Sequence, residues 1–232
     1  MMWSRQRSWP RNESLSWDRW AVIAASGGGK TTAVQAILVQ MQRAWPDVPI
    51  EVMDPKHEEA FNKWWNLKGV VKHKGIEAPE PIKKGIMIWR PPDDSPEQYN
   101  LYLKRVYLKR KRRVVYIDEL SSLGGPSESA QGYPRYLRIL LKQARSLGIT
   151  FIIGSQEVGY IPRQILGQSN KVLTGHLNLE ADKERMARFY GFGNSARDWQ
   201  VKDQHGFWFI DPSKVLELNP PIYYQNIQEF LS

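Results

Sequence analysis

Short apolar runs alternate with longer amphipathic segments along most of the chain. The runs are continuous rather than alternating, which predicts strands buried on both faces, and the longer segments repeat apolar residues at helical spacing. The predicted strands are 20–24, 50–53, 86–89, 114–117, 150–154, 172–174 and 207–210, and the predicted helices are 30–43, 96–109, 134–146 and 181–189. The pattern predicts an α/β fold with a mostly parallel central sheet and helices on both faces.

The remaining stretches divide the chain into three parts. Residues 1–19 are rich in Trp and Arg without clear periodicity, and we expect an arm that packs against a neighbour rather than one that stacks on nucleic acid. Residues 20–215 form the predicted core, and residues 216–232 form a predicted docking tail with many aliphatic and aromatic side chains. Within the core, residues 67–84 are rich in Lys, Gly and Pro, which is typical of a surface excursion.

A glycine-rich loop joins the first predicted strand to the first predicted helix. Its residues are Ser26, Gly27, Gly28, Gly29, Lys30, Thr31 and Thr32. Glycines let the backbone N–H groups wrap closely around phosphate oxygens, and the helix N-terminus adds positive partial charge. Lys30 is expected to reach the β- and γ-phosphates of ATP, and Thr31 to ligate Mg²⁺. Ala24 stands where the first glycine of this Walker A pattern belongs, and a plain Gly-rich turn is the alternative.

Two carboxylates, Asp118 and Glu119, follow the apolar strand 114–117. Ligands gather at the carboxyl ends of parallel strands, so the pair is expected to face the phosphate loop as a Walker B element. Asp118 is expected to hold Mg²⁺ and Glu119 to polarise the attacking water. A turn with a helix cap explains an isolated Asp-Glu equally well.

The buried strand 150–154 ends in a polar amide, Gln156. We expect Gln156 to contact the γ-phosphate or the attacking water and so to sense hydrolysis. The alternative is a polar residue at a strand end whose hydrogen bonds go to the backbone.

The amino-acid composition limits which metal sites and which binding partners the chain can have. The chain lacks cysteine, which excludes disulfides and thiolate metal sites, and its four histidines show no metal-ligand spacing. No apolar run is long enough for a secretory signal or a membrane span, so we expect an intracellular protein. The net charge of +9 favours a polyanionic partner such as nucleic acid, although the same charge also serves solubility.

Four local patterns together make the sequence resemble the FtsK–HerA superfamily of DNA-pumping ATPases. They are the phosphate loop, an Asp-Pro-Lys segment at 52–56, the strand with its two carboxylates at 115–119, and residues 143–162, which combine Ala-Arg, Gly-Ile, a strand and Ser-Gln. The resemblance covers about residues 20–210. It implies a RecA-like P-loop NTPase core with ATP and Mg²⁺ as its ligands.

Little sequence lies outside that core, which is similar to the compact genome-packaging ATPases of membrane-containing icosahedral viruses. The resemblance implies ATP-driven translocation of double-stranded DNA of any sequence into a preformed capsid. It also implies a homo-oligomeric ring, a hexamer, in the host cytoplasm or at the packaging vertex of the virion. A capsid-vertex or membrane protein is a further candidate partner.

In rings of this kind a basic finger from a neighbouring subunit completes each site. Several relatives carry Arg just before the strand that follows the sensor, where this chain has Lys171. Arg145 and Arg163 are the other candidates, and we rank Arg145 first. An ion pair with an acidic residue would instead give Arg145 a structural role.

Three segments are candidates for contact with DNA. Residues 104–113 hold seven basic side chains in ten positions, which fits either a polyanion surface or a solvated helix end. Loops that face the pore of a ring are also candidates, namely residues 121–131 and the basic excursion 68–84.

Three other functions fit parts of the sequence. A conjugative or filamentous-phage assembly ATPase is a related motor that usually carries a membrane segment. A nucleotide kinase needs an acceptor-binding lid rather than a sensor strand, and a nucleotide-gated switch does not need Glu119. ATP turnover with and without duplex DNA separates these alternatives from a packaging motor.

Overall fold

A computed structural model describes residues 18–93, 95–123, 132–159, 161–190, 207–211 and 214–218. Nine strands lie within these residues: β1 (Arg19–Ile23), β2 (Ile50–Met53), β3 (Val71–His73), β4 (Ile86–Trp89), β5 (Arg113–Ile117), β6 (Ile149–Ser155), β7 (Lys171–Thr174), β8 (Phe207–Asp211) and β9 (Lys214–Leu218). Six helices accompany them: α1 (Lys30–Ala44), α2 (Glu59–Trp65), α3 (Pro96–Lys109), α4 (Arg135–Gln143), α5 (Arg163–Gln168) and α6 (Glu180–Tyr190). Short 3-10 helices span Leu120–Leu123 and Arg145–Leu147.

The strands form one sheet in the order β3-β4-β2-β5-β6-β1-β7-β8-β9. The pairs from β3 through to β7 are parallel, whereas β8 pairs with β7 and with β9 in antiparallel orientation. This order puts β6 between β1 and β5. The predicted phosphate loop, sensor residue and paired carboxylates therefore follow three adjacent strands at one edge of the sheet.

Successive residues of the central strands contribute to two separate hydrophobic clusters. Trp20, Val22 and Ile152 pack with α1 and α2 on one face. Ala21, Ile23 and their neighbours in β5 and β6 pack with α3, α4, α5 and α6 on the other face. The sheet is covered on both sides, and the α/β fold predicted from the apolar runs is confirmed.

The predicted helix 134–146 is shorter in the structure than the pattern indicated. α4 ends at Gln143, and the 3-10 turn that follows closes at Gly148, whose φ of 67° is left-handed. The amide of Ile149 donates to the carbonyl of Ala144 at 2.8 Å, which turns the chain directly into β6.

Four elements were absent from the predicted pattern. They are α2, β3, α5 and β9, all seven residues or shorter. β3 lies inside the excursion 67–84 and its side chains are exposed or half-buried, so no apolar run marks it. Of the predicted N-terminal arm, only Asp18 and Arg19 lie within the described residues, and of the predicted tail only residues 216–218.

Candidate nucleotide site

The glycine-rich loop has the compact backbone that its sequence predicts. Gly27 and Gly29 have φ of 74° and 81°, a region that residues with a Cβ rarely occupy. The amide of Gly28 donates to the carbonyl of Ala25 at 2.9 Å, and a Cβ on Gly28 would lie 3.0 Å from that same oxygen. The three glycines thus let the chain turn sharply before α1, as a loop that cradles phosphate requires.

Ala24 replaces the first glycine of the usual pattern, and its methyl group packs directly against a glycine on the neighbouring strand connection. Ala24 is fully buried at the end of β1, and its amide donates to the carbonyl of Ser155. A Cβ on Gly175, just after β7, would lie 2.9 Å from the Ala24 Cβ. The absent side chain at position 175 therefore provides the room that the methyl group of Ala24 occupies.

Lys30 and Asp118 form a buried salt bridge across the end of β6. Lys30 lies in the first turn of α1, and the exposed fractions of the two side chains are 5% and 0%. The Tyr116 hydroxyl donates to the same carboxylate oxygen, Oδ1. Burial and the Asp118 carboxylate raise the pKa of Tyr116 well above its ordinary value, so this hydroxyl keeps its proton.

Gly154 of β6 makes room for this cluster. A Cβ there would lie 2.7 Å from the Tyr116 hydroxyl and 3.1 Å from Oδ1 of Asp118. The sensor strand consequently passes directly against the carboxylate at the end of β5, with no side chain between them.

The residues at this edge fit a magnesium ion held together with nucleotide phosphates. Oδ2 of Asp118 is buried and has no hydrogen-bond partner among the described residues, although a buried carboxylate oxygen normally has one. Thr31, in the first turn of α1, is half-buried beside the phosphate loop. No group of three or more His, Asp or Glu side chains able to hold a metal occurs in the described part of the chain. Mg²⁺ ordinarily binds through one or two protein oxygens plus phosphates, which suits this donor set.

Glu119 is buried and held by contacts from three directions. Its Oε1 accepts hydrogen bonds from the Ser121 hydroxyl and from the Gln156 amide at 3.2 Å. The Ser155 hydroxyl lies 3.4 Å from Oε1 and 3.0 Å from the Glu157 carbonyl, and its single proton can go to either acceptor. Its Oε2 lies 3.1 Å from the Nζ atom of Lys56. With a φ of 51°, its backbone is left-handed, a conformation that non-glycine residues adopt mostly where function or close packing imposes it.

A buried ion pair at the neighbouring strand ends was missing from the sequence interpretation. Asp54, after β2, is fully buried, and its Oδ2 accepts from Nε of Arg90, after β4, at 2.8 Å. Arg90 also donates to Asn62 and to the Glu58 carbonyl. Burial raises the pKa of Asp54, while the Glu58 amide and Arg90 partly offset that effect. Opposite charges directly after two consecutive predicted strands were the signal that could have revealed this pair.

Gln156 lies at the predicted edge, but its backbone makes the contact with Glu119. Its side chain is half-buried and forms no hydrogen bond among the described residues, while its amide donates to Glu119. The other contacts to that oxygen come from Ser155, which the sequence interpretation gave only as part of the Ser-Gln pattern, and from Ser121, to which it gave no role at the site.

The three candidate fingers differ in exposure. Lys171 is largely buried, with its Nζ 2.9 Å from Asp18 and 5.1 Å from the centre of the Trp20 ring. Arg163 is exposed and lies over the Phe189 ring. Arg145 is exposed in the 3-10 turn before β6. Lys171 and Arg145 both lie at the amino ends of their strands, the edge opposite to the phosphate loop.

The basic run 104–113 is partly engaged within the chain. Arg113 is buried and donates to Glu51 at 2.7 Å, and Arg105 and Lys109 both contact Glu80. The exposed members of the run are Lys104, Lys109, Arg110, Lys111 and Arg112. At least three of the seven basic side chains therefore pair with acidic residues of the same chain, which leaves a smaller basic surface than the sequence indicated.

The other candidate DNA segments are only partly described. Lys68, Lys72, Lys74, Lys83 and Lys84 of the excursion are all exposed. Of the candidate pore loop 121–131, residues 124–131 lie outside the described residues. None of the helices in the described part of the chain is long and apolar enough to cross a membrane.

Comparison with solved structures shows which known proteins have a similar fold. The genome packaging NTPase B204 from Sulfolobus turreted icosahedral virus 2, in complex with AMPPCP, superposes with a TM-score of 0.68 at 14% identity, over 88% of this chain and 98% of its own. VirB4 of Thermoanaerobacter pseudethanolicus gives 0.69 at 12% identity, over 90% and 91% of the two chains. The pCW3 conjugation coupling protein TcpA, with ATPγS, gives 0.63 at 17% identity, over 93% and 64%.

The chain shares the fold of these P-loop proteins. The prediction of a P-loop NTPase core is thus confirmed at the level of the fold, and a viral genome-packaging NTPase is among the similar structures, as the resemblance implied. No protein-family model matches the sequence, and no curated protein matches it either.

Proposed function

We propose that this chain is an ATPase that uses ATP hydrolysis to move double-stranded DNA. The observation that carries the proposal is the pairing of Lys30 with Asp118, beside the buried Glu119 and under a glycine-rich loop. A lysine, two carboxylates and inward-turning backbone amides at adjacent strand ends are the parts that phosphoryl transfer from a nucleoside triphosphate requires.

Each part has a distinct role in hydrolysis. The amides of the loop from Ser26 to Thr32 receive the phosphates, and Lys30 leaves Asp118 to contact the β- and γ-phosphates. Thr31 and Asp118 would hold Mg²⁺, which would offset the phosphate charge when bound. Glu119 orients a water whose oxygen attacks the γ-phosphorus. The bond from phosphorus to the β,γ-bridging oxygen breaks, ADP leaves, and Glu119 takes the proton of the water.

The coupling to DNA is supported by charge and by likeness. The net charge of +9 favours a polyanion, and the similar structures include a viral genome packaging NTPase and a conjugation coupling protein. We propose that a homohexameric ring packages a viral genome into a preformed capsid, in the host cytoplasm or at the virion vertex, with a capsid-vertex or membrane protein as anchor. Contacts would be to phosphates, which are the same in every sequence.

A conjugative DNA-transfer motor is the second candidate function. It is favoured by the similarity to the conjugation coupling protein TcpA, whose TM-score of 0.63 is near the 0.68 of B204. Both candidates require the same ATPase site, so the first experiment addresses that site and its response to DNA.

The test is ATP turnover by the purified chain with and without duplex DNA of two unrelated sequences. A DNA motor predicts turnover that both duplexes stimulate equally. Turnover that ignores DNA and instead phosphorylates a small acceptor would indicate a nucleotide kinase, and absence of turnover would indicate a binding switch. Either result would exclude the motor.

We propose Arg145 as the finger in trans, because it is exposed whereas Lys171 is buried against Asp18. Mixing an Arg145→Ala chain with a Lys30→Ala chain should restore part of the activity that each lacks alone, since mixed rings contain intact sites. Failure of every mixture to recover turnover would remove Arg145 from this role.

A further inference from the structure

Lys56 is the basic residue of the Asp-Pro-Lys segment. It contacts the carboxylate of Glu119, which we propose orients the attacking water. Its Nζ lies 3.1 Å from Oε2 of Glu119, across the ends of the paired strands β2 and β5. The Lys56 side chain is 38% exposed and that of Glu119 only 4%, so the ammonium reaches the buried carboxylate from the solvent side.

The two oxygens of Glu119 are held by different parts of the sheet. Oε1 accepts from the Ser121 hydroxyl on the same connection and from the Gln156 amide at the end of β6, where the Ser155 hydroxyl also lies 3.4 Å away. Oε2 receives the ammonium of Lys56 from the end of β2. Because contacts on the two oxygens come from opposite sides, together they fix both the position and the rotation of the carboxylate plane.

The loop that carries Lys56 is itself anchored. Asp54, two residues earlier, is bound by the Arg90 guanidinium and by the Glu58 amide, at 2.8 and 2.9 Å. Its own amide continues the sheet by donating to the carbonyl of Trp89. The backbone that carries Lys56 is thus held in place by hydrogen bonds, as a residue that positions another side chain requires.

We infer that Lys56 is a positioning residue that orients Glu119 toward the attacking water. This inference rests on the proposed ATPase and adds to it a role for the Asp-Pro-Lys segment. A general base must hold the water in line with the bond that breaks, and a displacement of about 1 Å can cost about a hundredfold in rate. Lys56 acts through Glu119 and not through the nucleotide, so its loss should slow turnover without weakening ATP binding.

The experiment compares Lys56→Gln with Lys56→Arg in the full chain. The first keeps a hydrogen-bond donor but loses the charge, and the second keeps both. Lys183→Gln is the matched control, because Lys183 forms a salt bridge of 3.2 Å with Glu180 on α6, a helix outside the proposed site. The measurements are kcat and KM for ATP, the Kd of a fluorescent non-hydrolysable ATP analogue, and Tm.

We expect Lys56→Gln to lower kcat about 10- to 100-fold with KM and analogue Kd unchanged, since only the alignment of the base is lost. Lys56→Arg should recover most of the rate, and Lys183→Gln should behave as the wild type. Lys56→Arg also serves as the second variant if Lys56→Gln does not fold, and a rate for it below one-tenth of wild type with a normal Tm would count against orientation by a cation.

Three results would overturn the inference. A wild-type kcat in Lys56→Gln would show that Glu119 needs no help from this side chain. A faster rate would make Lys56 a brake, and an analogue Kd weakened in proportion to the loss of rate would make it a nucleotide ligand. A wild-type chain that hydrolyses no ATP would instead refute the proposed function itself, which is a different outcome from an active wild type with an unaffected variant.

Discussion

Glu119 combines three properties that a purely structural glutamate seldom has together. It is buried, its φ of 51° places it in the left-handed region, and donors from two neighbouring strands reach its carboxylate. A left-handed backbone costs a residue with a Cβ about 1–3 kcal/mol, and such strain is concentrated at functional sites. The geometry at this residue therefore supports the catalytic role that its place in the sequence predicted.

The substitution Glu119→Gln tests that role. The amide keeps the size of the side chain but cannot accept the proton of the water, so turnover should fall by about a hundredfold or more. ATP binding should persist, because Lys30 and the loop supply it. Steady-state hydrolysis with analogue binding in parallel measures both, and hydrolysis at the wild-type rate would remove Glu119 from its role.

Arg90 supplies the charge that stabilises the buried Asp54 carboxylate where β2 and β4 end. Arg90→Ala leaves the Asp54 carboxylate buried without its cation, which typically costs about 3–5 kcal/mol in the free energy of unfolding. Urea unfolding measures the loss. Lys109→Ala, which breaks an exposed pair with Glu80, should cost less than about 1 kcal/mol.

The cost of Arg90→Ala should depend on pH in a defined direction. Burial raises the pKa of Asp54 in the folded state, so without Arg90 this carboxyl takes up a proton more readily when folded than when unfolded. Lowering the pH through that raised pKa neutralises the buried charge and favours the folded variant. The difference in stability between wild type and variant should therefore shrink at acid pH, and a difference that grows instead would contradict this account of Asp54.

At the scale of elements, β1 and β7 approach each other closely next to the phosphate loop. The Ala24 methyl group fits because Gly175 has no side chain, and a Cβ at position 175 would also lie 3.0 Å from the Phe207 ring. The sequence interpretation noted the alanine as a departure from the usual glycine, but not the glycine 151 residues later that accommodates it.

Gly175→Ala should therefore destabilise the chain by about 1–3 kcal/mol, the usual cost of overpacking, and should weaken ATP binding by shifting the loop. Adding Ala24→Gly removes the nearer of the two contacts and should restore part of both losses. Thermal unfolding and analogue titration of the two variants check this, and a single variant as stable as the wild type would disprove the steric match.

The elements that could be predicted are those with a strong local pattern. Runs such as 50–53 and 150–154 are fully buried strands, and their continuous apolar character was sufficient to place them. β3 could not be predicted because Val71, Lys72 and His73 form an exposed or half-buried edge strand with no apolar run. α2 covers only seven residues, too few for helical periodicity to be distinguished from chance.

The site was predictable where its residues lie in one motif and not where contacts join distant ones. The loop before α1 and the carboxylates after β5 each carry a local signature. The ion pairs of Lys56 with Glu119 and of Arg90 with Asp54 join residues 63 and 36 positions apart. Spacing along the chain does not identify either pair. Opposite charges directly after two predicted strands point to the pair of Arg90 with Asp54, and the strand order β4-β2-β5 is what brings the residues of both pairs together.

At the scale of the whole molecule, the proposed nucleotide site and a group of exposed basic residues lie at opposite ends of the strands. The proposed nucleotide-binding residues lie at the carboxyl ends of the strands. At the amino ends, Arg110 and Lys111 precede β5 and Arg145 precedes β6, all of them exposed. A ring in which the basic edge of one subunit approaches its neighbour's nucleotide site, or DNA, is consistent with this separation.

The proposed hexameric ring can be tested by measuring the mass of the assembly. With a non-hydrolysable ATP analogue, Mg²⁺ and duplex DNA, we expect a species with the mass of six 27.0 kDa chains. Native mass spectrometry or light scattering can detect it. Lys30→Ala is the control, since it should assemble less well if bound nucleotide links the subunits, and a strict monomer for the wild type would contradict the ring.

The most direct test of the nucleotide site is a crystal structure of the Glu119→Gln variant with ATP and Mg²⁺. The account predicts that Nζ of Lys30 leaves Asp118 for the β- and γ-phosphates, and that a metal ion lies near Thr31 and Asp118. It also predicts that the side chain at 119 lies beside the γ-phosphate. An empty loop, or a nucleotide bound elsewhere with the Lys30–Asp118 salt bridge intact, would contradict it.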